Sequence, residues 1–189
     1  MELDVLLKRD FDEQPYIPKD GIIPNIIHVI SHEFINFDDF NKTIDITKKN
    51  HKIILVDTCY IIKNTIEQFS EDEGNIYIFT CGVFLEILQG ATKKTIENGE
   101  FLNDLKKILQ IKKKLNDRCV FLTLGRKRRA YWANCEPSQS CRNCVNTDQP
   151  HYKILRDIDT ELLRLTTVMK CQIQSCDNYL LRRVGYHSK

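Results

Sequence analysis

The chain has 189 residues, eight of them cysteines, and a formal net charge of +2. That length suits one domain carrying an extension or a sizeable insertion, with enough chain to bury a real core. The aliphatic content excludes long disorder over most of the chain, and the near-neutral balance excludes a global polyanion-binding charge.

Residues 1–25 are polar and punctuated by Pro15, Pro18, Gly21 and Pro24, as in an N-terminal arm. No apolar signal region follows Met1, where Glu2, Asp4, Lys8, Arg9 and Asp10 fall. No apolar run approaches a membrane span either. The expectation is an intracellular protein, cytoplasmic or nuclear, with reduced thiols and no membrane partner. Residues 26–50 hold Ile26-Ile27-His28-Val29-Ile30 and a Phe-rich stretch from Phe34 to Phe40. Their structure is not legible, but so many large apolar groups are costly in water and should pack on the main domain. Residues 1–51 are therefore expected as an extension and 52–189 as the domain proper.

Lys52-Ile53-Ile54-Leu55-Val56 is short, continuous and β-branched, the signature of a parallel strand covered on both faces. A helical pattern follows from Tyr60 to Phe69, then an acidic turn from Ser70 to Asn75, then a second strand at Ile76-Tyr77-Ile78-Phe79. Val83 to Leu88 reads as a helix stopped near Gly90, and 100–115 as the longest amphipathic helix. Cys119 to Leu124 is a third strand. Residues 125–151 read as a basic, Cys-rich insertion or long loop. Asp157 or Asp159 should start a helix running to about Lys170, before a fourth strand at Cys171 to Ser175 and a last helix from Asn178 to Val184 ending at Gly185. Alternating strands and helices predict an α/β domain, three-layered, with a mostly parallel sheet.

In such sheets ligands bind beyond the carboxyl ends of the strands. Asp57 directly follows the first strand and Asp177 the fourth. Glu86 sits early in the helix after the second strand, and Asp159 at an expected helix start, where the dipole favours negative charge. Each has a dull alternative: Asp159 as an N-cap, Asp177 as a turn residue, Glu86 in a surface ion pair. Four acids at corresponding ends of successive elements are harder to dismiss. Clustered carboxylates repel one another, and a divalent cation removes the penalty. Hard oxygen donors favour magnesium or manganese, which activate water toward a phosphodiester without a nucleophilic side chain. No Ser/His/Asp set and no phosphate-cradling glycine loop competes with this reading.

The order of these motifs resembles the PIN-domain nuclease family: Ile53-Ile54-Leu55-Val56-Asp57-Thr58, then Phe84-Leu85-Glu86-Ile87, then Asp159-Thr160-Glu161-Leu162-Leu163-Arg164-Leu165, then Ile173-Gln174-Ser175-Cys176-Asp177. Asp159 and Asp177 stand 18 positions apart, room for one helix and one strand as in that family, and this selects Asp159 over Asp157. The tail from Asp177 to Val184 looks like the version in rRNA-processing PIN endonucleases. The resemblance covers about residues 52–185. It implies that Asp57, Glu86, Asp159 and Asp177 bind Mg2+ or Mn2+ and carry catalysis. Ser175 and Thr58 would support them, and the activity would be endoribonuclease, in RNA processing or decay. It also implies a protein partner or homodimer. Three departures stand out: Cys59 where the family has Asn or Ser, Thr166 and Thr167 where it has small residues, and the longer 125–151 stretch.

Two further features lie outside the acids. Between Asn103 and Asn134, Lys106, Lys107, Lys112, Lys113, Lys114, Arg118, Arg126, Lys127, Arg128 and Arg129 face only Asp104 and Asp117. Arg126, Lys127, Arg128 and Arg129 could meet RNA phosphates, with Tyr131 or Trp132 stacking on an unpaired base; a solvated loop or nuclear-localisation signal is the alternative. Cys135, Cys141, Cys144 and His151 could form a tetrahedral structural zinc site, against plain free thiols in a loop. Cys119 or Cys171 could replace one of these ligands. Cys59, Cys81, Cys119, Cys171 and Cys176 are expected as core thiols. The histidine pair His28 and His32 lacks a metal-binding order and is expected to be packed or exposed. Rival readings are a non-catalytic RNA-binding or scaffold protein, a structure-specific DNA nuclease, and a phosphatase-like hydrolase.

Overall fold

The continuous apolar runs become strands because each can bury both faces. In Lys52–Val56 (β2) every residue after Lys52 is buried, and in Asn75–Thr80 (β3) every residue after Asn75. Since successive side chains point to opposite faces, helices must cover the sheet on both sides. The computed structural model of the chain describes residues 15–69, 74–124 and 150–187, the side chains of 43–48, 150–157, 160 and 186–187 excepted. Phe34–Asn36 (β1), Cys119–Thr123 (β4) and Gln172–Gln174 (β5) complete a five-stranded sheet of order β1-β4-β3-β2-β5. Every pairing is parallel, so the expected mostly parallel α/β domain is present.

The helices are Ile22–His32 (α1), Phe37–Asn50 (α2), Thr58–Lys63 (α3), Cys81–Gln89 (α4), Lys93–Glu97 (α5), Glu100–Leu115 (α6), Pro150–Met169 (α7) and Asn178–His187 (α8). Among the described residues none is long and apolar enough to cross a membrane. Three differ from the sequence expectation. The helix expected over 60–69 ends at Lys63, because Asn64 turns extended and Thr65 opens a separate 3-10 turn, Ile66–Gln68, through a capping box with Gln68. The last helix runs through Gly185 to His187. Most consequentially, α7 begins at Pro150, a residue suited to a first helical position, so neither Asp157 nor Asp159 starts it.

The segment before residue 52 supplies part of the core. Ile23, Ile26, Ile27 and Ile30 form the buried stripe of α1, which packs on α6. Phe37 and Phe40 join the same core cluster. β1 adds an edge strand next to β4, in register Phe34↔Phe121. This places Phe34, Phe121 and Phe79 side by side across three strands, with ring centroids 5.5 Å apart for Phe34–Phe121 and 5.7 Å for the stacked Phe79–Phe121 pair. Aromatic pairs at such spacing add to the burial energy.

If α1 belongs to this core, Ile30, which is fully buried, cannot be trimmed cheaply. Ile30→Ala is expected to lower the unfolding free energy by about 2–5 kcal/mol in a urea titration of the full chain. An extension folded independently of the sheet would leave the main transition unmoved.

Candidate active site

Between β2 and β5 the chain changes direction across the sheet. From β2 it steps to β3 and β4 on one side, then returns to place β5 on the other. The crevice beyond the carboxyl ends of two such strands is where open α/β sheets bind ligands. Asp57 leaves β2 at that point. Its backbone N–H donates to the Gln174 carbonyl at 2.9 Å, so the β2–β5 ladder continues into the site.

The Asp57 carboxylate is buried, at 6 % exposure, and its environment explains how it tolerates that. It caps α3, with Oδ1 accepting from the Thr58 N–H at 2.8 Å. Oδ2 accepts from the Ser175 hydroxyl at 2.6 Å and from the Cys59 thiol at 2.9 Å. These donors take three of its roughly four lone-pair positions. Ser175 Oγ in turn accepts from the Asp177 N–H at 2.9 Å, and Cys59 Sγ from the Cys176 N–H at 3.1 Å. Burial, then the hydrogen bond to Asp57, pushes the Cys59 thiol up to about 11. It therefore stays protonated and acts as a donor.

Glu86 arrives on α4, whose start after β3 is set by the Thr80 hydroxyl accepting from the Val83 N–H at 3.2 Å. The Thr58 hydroxyl donates to Glu86 Oε2 at 2.7 Å, joining the first and second acids through one side chain. Burial raises the Glu86 carboxyl to about 7 against the opposing pull of Thr58, and the charges of Asp57, Asp159 and Asp177 add to the rise. Asp159, inside α7, is raised to about 6 by burial and by Asp57 and Asp177, with Arg183 pulling the other way. Asp177 caps α8, its Oδ1 accepting from the Tyr179 N–H at 2.8 Å and the Leu180 N–H at 3.4 Å.

The fold thus brings together Asp57, Thr58, Glu86, Asp159, Ser175 and Asp177, drawn from the ends of β2 and β5 and from α4 and α7. One argument for Asp159 is corrected: it sits well inside α7, away from the helix dipole's positive end, and its link to the cluster is proximity to Asp57 and Asp177. The donor set is oxygen-rich and mutually repulsive, which fits Mg2+ or Mn2+ in chemistry. Among the described residues no three His, Cys, Asp or Glu side chains stand as a formed metal shell.

Other expectations divide. Arg126, Lys127, Arg128, Arg129, Tyr131, Trp132, Cys135, Cys141 and Cys144, and the side chain of His151, lie outside the described residues. Part of the basic stretch does structural work: Lys107 Nζ donates to the Ile61 and Ile62 carbonyls at the end of α3, and Lys112 Nζ to the Cys119 and Asn116 carbonyls. Cys81 and Cys119 are buried, as expected of core thiols. Cys59 and Cys176 correct that expectation: Cys59 is half-buried against Asp57, and Cys176 is exposed. His28 and His32 stack edge-on at 4.2 Å, His28 exposed on α1.

The sequence reading also missed Glu161. It is buried at 3 % exposure, and its carboxylate lies against Gly82 in the first turn of α4. A methyl carbon built on Gly82 would meet Glu161 Oε1 at 2.9 Å. Glu161 thereby seats α7, which carries Asp159, on α4, which carries Glu86. No sequence signal marks it, because the pairing of Gly82 with Glu161 on neighbouring helices is set by packing and not by spacing along the chain.

Compared with known protein families, curated proteins and solved structures, the chain matches none.

Gly82→Ala is expected to give no net stabilisation in chemical denaturation, because displacing the buried Glu161 carboxylate offsets the roughly 1 kcal/mol by which alanine favours helix. A stabilised variant would mean that Glu161 does not hold the two helices together. The raised acids make a second prediction. An unfolded Glu titrates near 4.5 and folded Glu86 near 7, so between those values the folded state holds the extra proton. Stability therefore falls as pH rises through that window, and Asp159 adds to the fall from a lower start. In a chelator, thermal melting is expected to be lower at pH 8 than at pH 5, and Glu86→Gln to recover about 2 kcal/mol at pH 8. A Glu86→Gln variant with an unchanged pH profile would show that Glu86 is not held among these charges.

Proposed function

We propose that the chain is a divalent-metal-dependent endoribonuclease of the PIN type, which hydrolyses RNA phosphodiesters. The observation that carries this reading is the convergence of four carboxylates at the switch point of a parallel sheet. Asp57, the most buried of them, is tied to the neighbouring strand end by Ser175. Asp57, Glu86, Asp159 and Asp177 would hold Mg2+ or Mn2+, which supplies charge for the phosphate and an activated water. Thr58 positions Glu86, and Ser175 positions Asp57 while receiving the N–H of Asp177. The resemblance of the four motifs to the family supports RNA as the substrate. The repulsion among the acids supports a cation as the missing neutralising charge.

One observation favours a second reading, an RNA-binding or scaffold protein that keeps the fold without cleaving. Asp57 already accepts from three internal donors, one of them Cys59, where the family has Asn or Ser. In that case RNA binding survives Asp57→Asn.

The deciding experiment is cleavage of a labelled single-stranded RNA with Mn2+ or Mg2+. Wild type is expected to cut in a metal-dependent way, and Asp57→Asn and Asp177→Asn to lose at least about a hundredfold in rate. RNA bound equally by wild type and Asp57→Asn, with no cutting by the folded wild type in either metal, would select the scaffold reading instead.

A further inference from the structure

Beside the acids stands an aromatic ring with an arginine on it. Tyr179 is 60 % exposed, the most exposed large hydrophobic side chain among the described residues. Its backbone N–H is the one that Asp177 accepts at 2.8 Å, which places it two residues after that acid at the start of α8. One helical turn on, the half-buried Arg183 puts its guanidinium 5.6 Å from the centre of the Tyr179 ring. The same guanidinium is close enough to Asp159 to oppose the rise of that carboxyl's pKa. Arg183 therefore links an exposed aromatic face to the acid cluster.

We infer that Tyr179 and Arg183 form the seat for an unpaired nucleobase and its flanking phosphate, so that the site takes single-stranded RNA. The inference rests on the nuclease reading for its ligand class. Every nucleobase has a π-face that stacks on an aromatic ring whatever its sequence, and an arginine adds cation–π and phosphate contacts. A base on Tyr179 leaves its phosphate at Arg183, and the neighbouring phosphodiester is then directed toward Asp159 and Asp177. A base paired within a duplex has no open face to offer, so the seat selects against double strands.

The test is fluorescence anisotropy of the full chain in EDTA. The probes are a fluorescein-labelled single-stranded 12-mer RNA and the same RNA annealed to its complement. Cleavage of both in Mn2+ is followed in parallel. The variants are Tyr179→Ala, Tyr179→Trp and Arg183→Gln, each checked for an unchanged thermal transition. Tyr179→Ala is expected to weaken single-strand binding about tenfold and leave duplex binding unmoved. Tyr179→Trp should restore the affinity, and Arg183→Gln should weaken it and flatten its salt dependence. Equal single-strand affinity for wild type and Tyr179→Ala, or no single-strand binding by wild type, overturns the seat. Tyr179-dependent binding without cutting in Mn2+ keeps the seat and removes the nuclease reading. Asp57-dependent cutting that ignores Tyr179 removes the seat and keeps the nuclease.

Discussion

The bond from the Ser175 hydroxyl to the Asp57 carboxylate joins the ends of two strands where the sheet's short edge begins to part. β5 has three residues, of which Gln172 is exposed and Ile173 and Gln174 are partly buried. Its ladder with β2 covers Ile54↔Gln172, Leu55↔Ile173 and Val56↔Gln174, and the Asp57 N–H extends it by one more bond to Gln174. A buried carboxylate without donors would be strongly destabilising; with Thr58, Ser175 and Cys59 donating, it becomes a clamp on the short edge strand. The switch point and the edge of the sheet therefore stand or fall together.

That clamp is bordered by carboxylates that repel one another, with Arg183 offsetting part of the charge at Asp159. Glu86 and Asp159 are both raised, and in each case burial leads and neighbouring carboxylates add to it. Either protons or a cation can relieve the repulsion, and the two compete for the same oxygens. The surrounding core is what tolerates the conflict. Leu55 and Val56 precede Asp57 with no exposure, Val83 and Leu85 flank Glu86 along α4, and Leu162 follows Asp159 in α7. Stability stored in those apolar contacts is spent on holding like charges together, a pattern found where function and folding compete.

How much of this was legible follows from which residues obey a local rule. β2 and β3 are continuous β-branched or aromatic runs, and their identity as doubly covered strands needs nothing beyond the chain itself. Asp57 and Asp177 were readable because each directly follows such a run. β1 was not: Phe34-Ile35-Asn36 is too short to show a period and becomes a strand only by pairing with β4. The start of α7 is not legible because the acids at 157 and 159 are themselves good N-caps, whereas Pro150 lies inside the polar 125–151 stretch that reads as a loop. Glu161 was invisible in principle, since periodicity counts a charged residue as surface. Its burial depends on a glycine 79 positions earlier having no side chain.

Glu161 and Gly82 also explain how acids from four elements keep a common geometry. α4 and α7 touch, and the Glu161 carboxylate packs against Gly82 at that contact. Glu86 lies one turn along α4 from that contact and Asp159 less than one turn back along α7. Small errors at the contact are therefore not magnified before they reach the carboxylates. α7 then stops where Lys170 adopts a left-handed conformation and the Cys171 N–H closes on the Thr166 carbonyl. Two residues of β5 later the chain reaches the Gln174 carbonyl that receives Asp57, and Ser175 follows. One continuous stretch, from Asp159 through Glu161 and the αL turn to Ser175, thus connects the helix layer to the sheet edge. Asp159 and Ser175 thus reach the cluster from the two ends of one short stretch of chain, and Gly82 leaves the room in which Glu161 packs beside it.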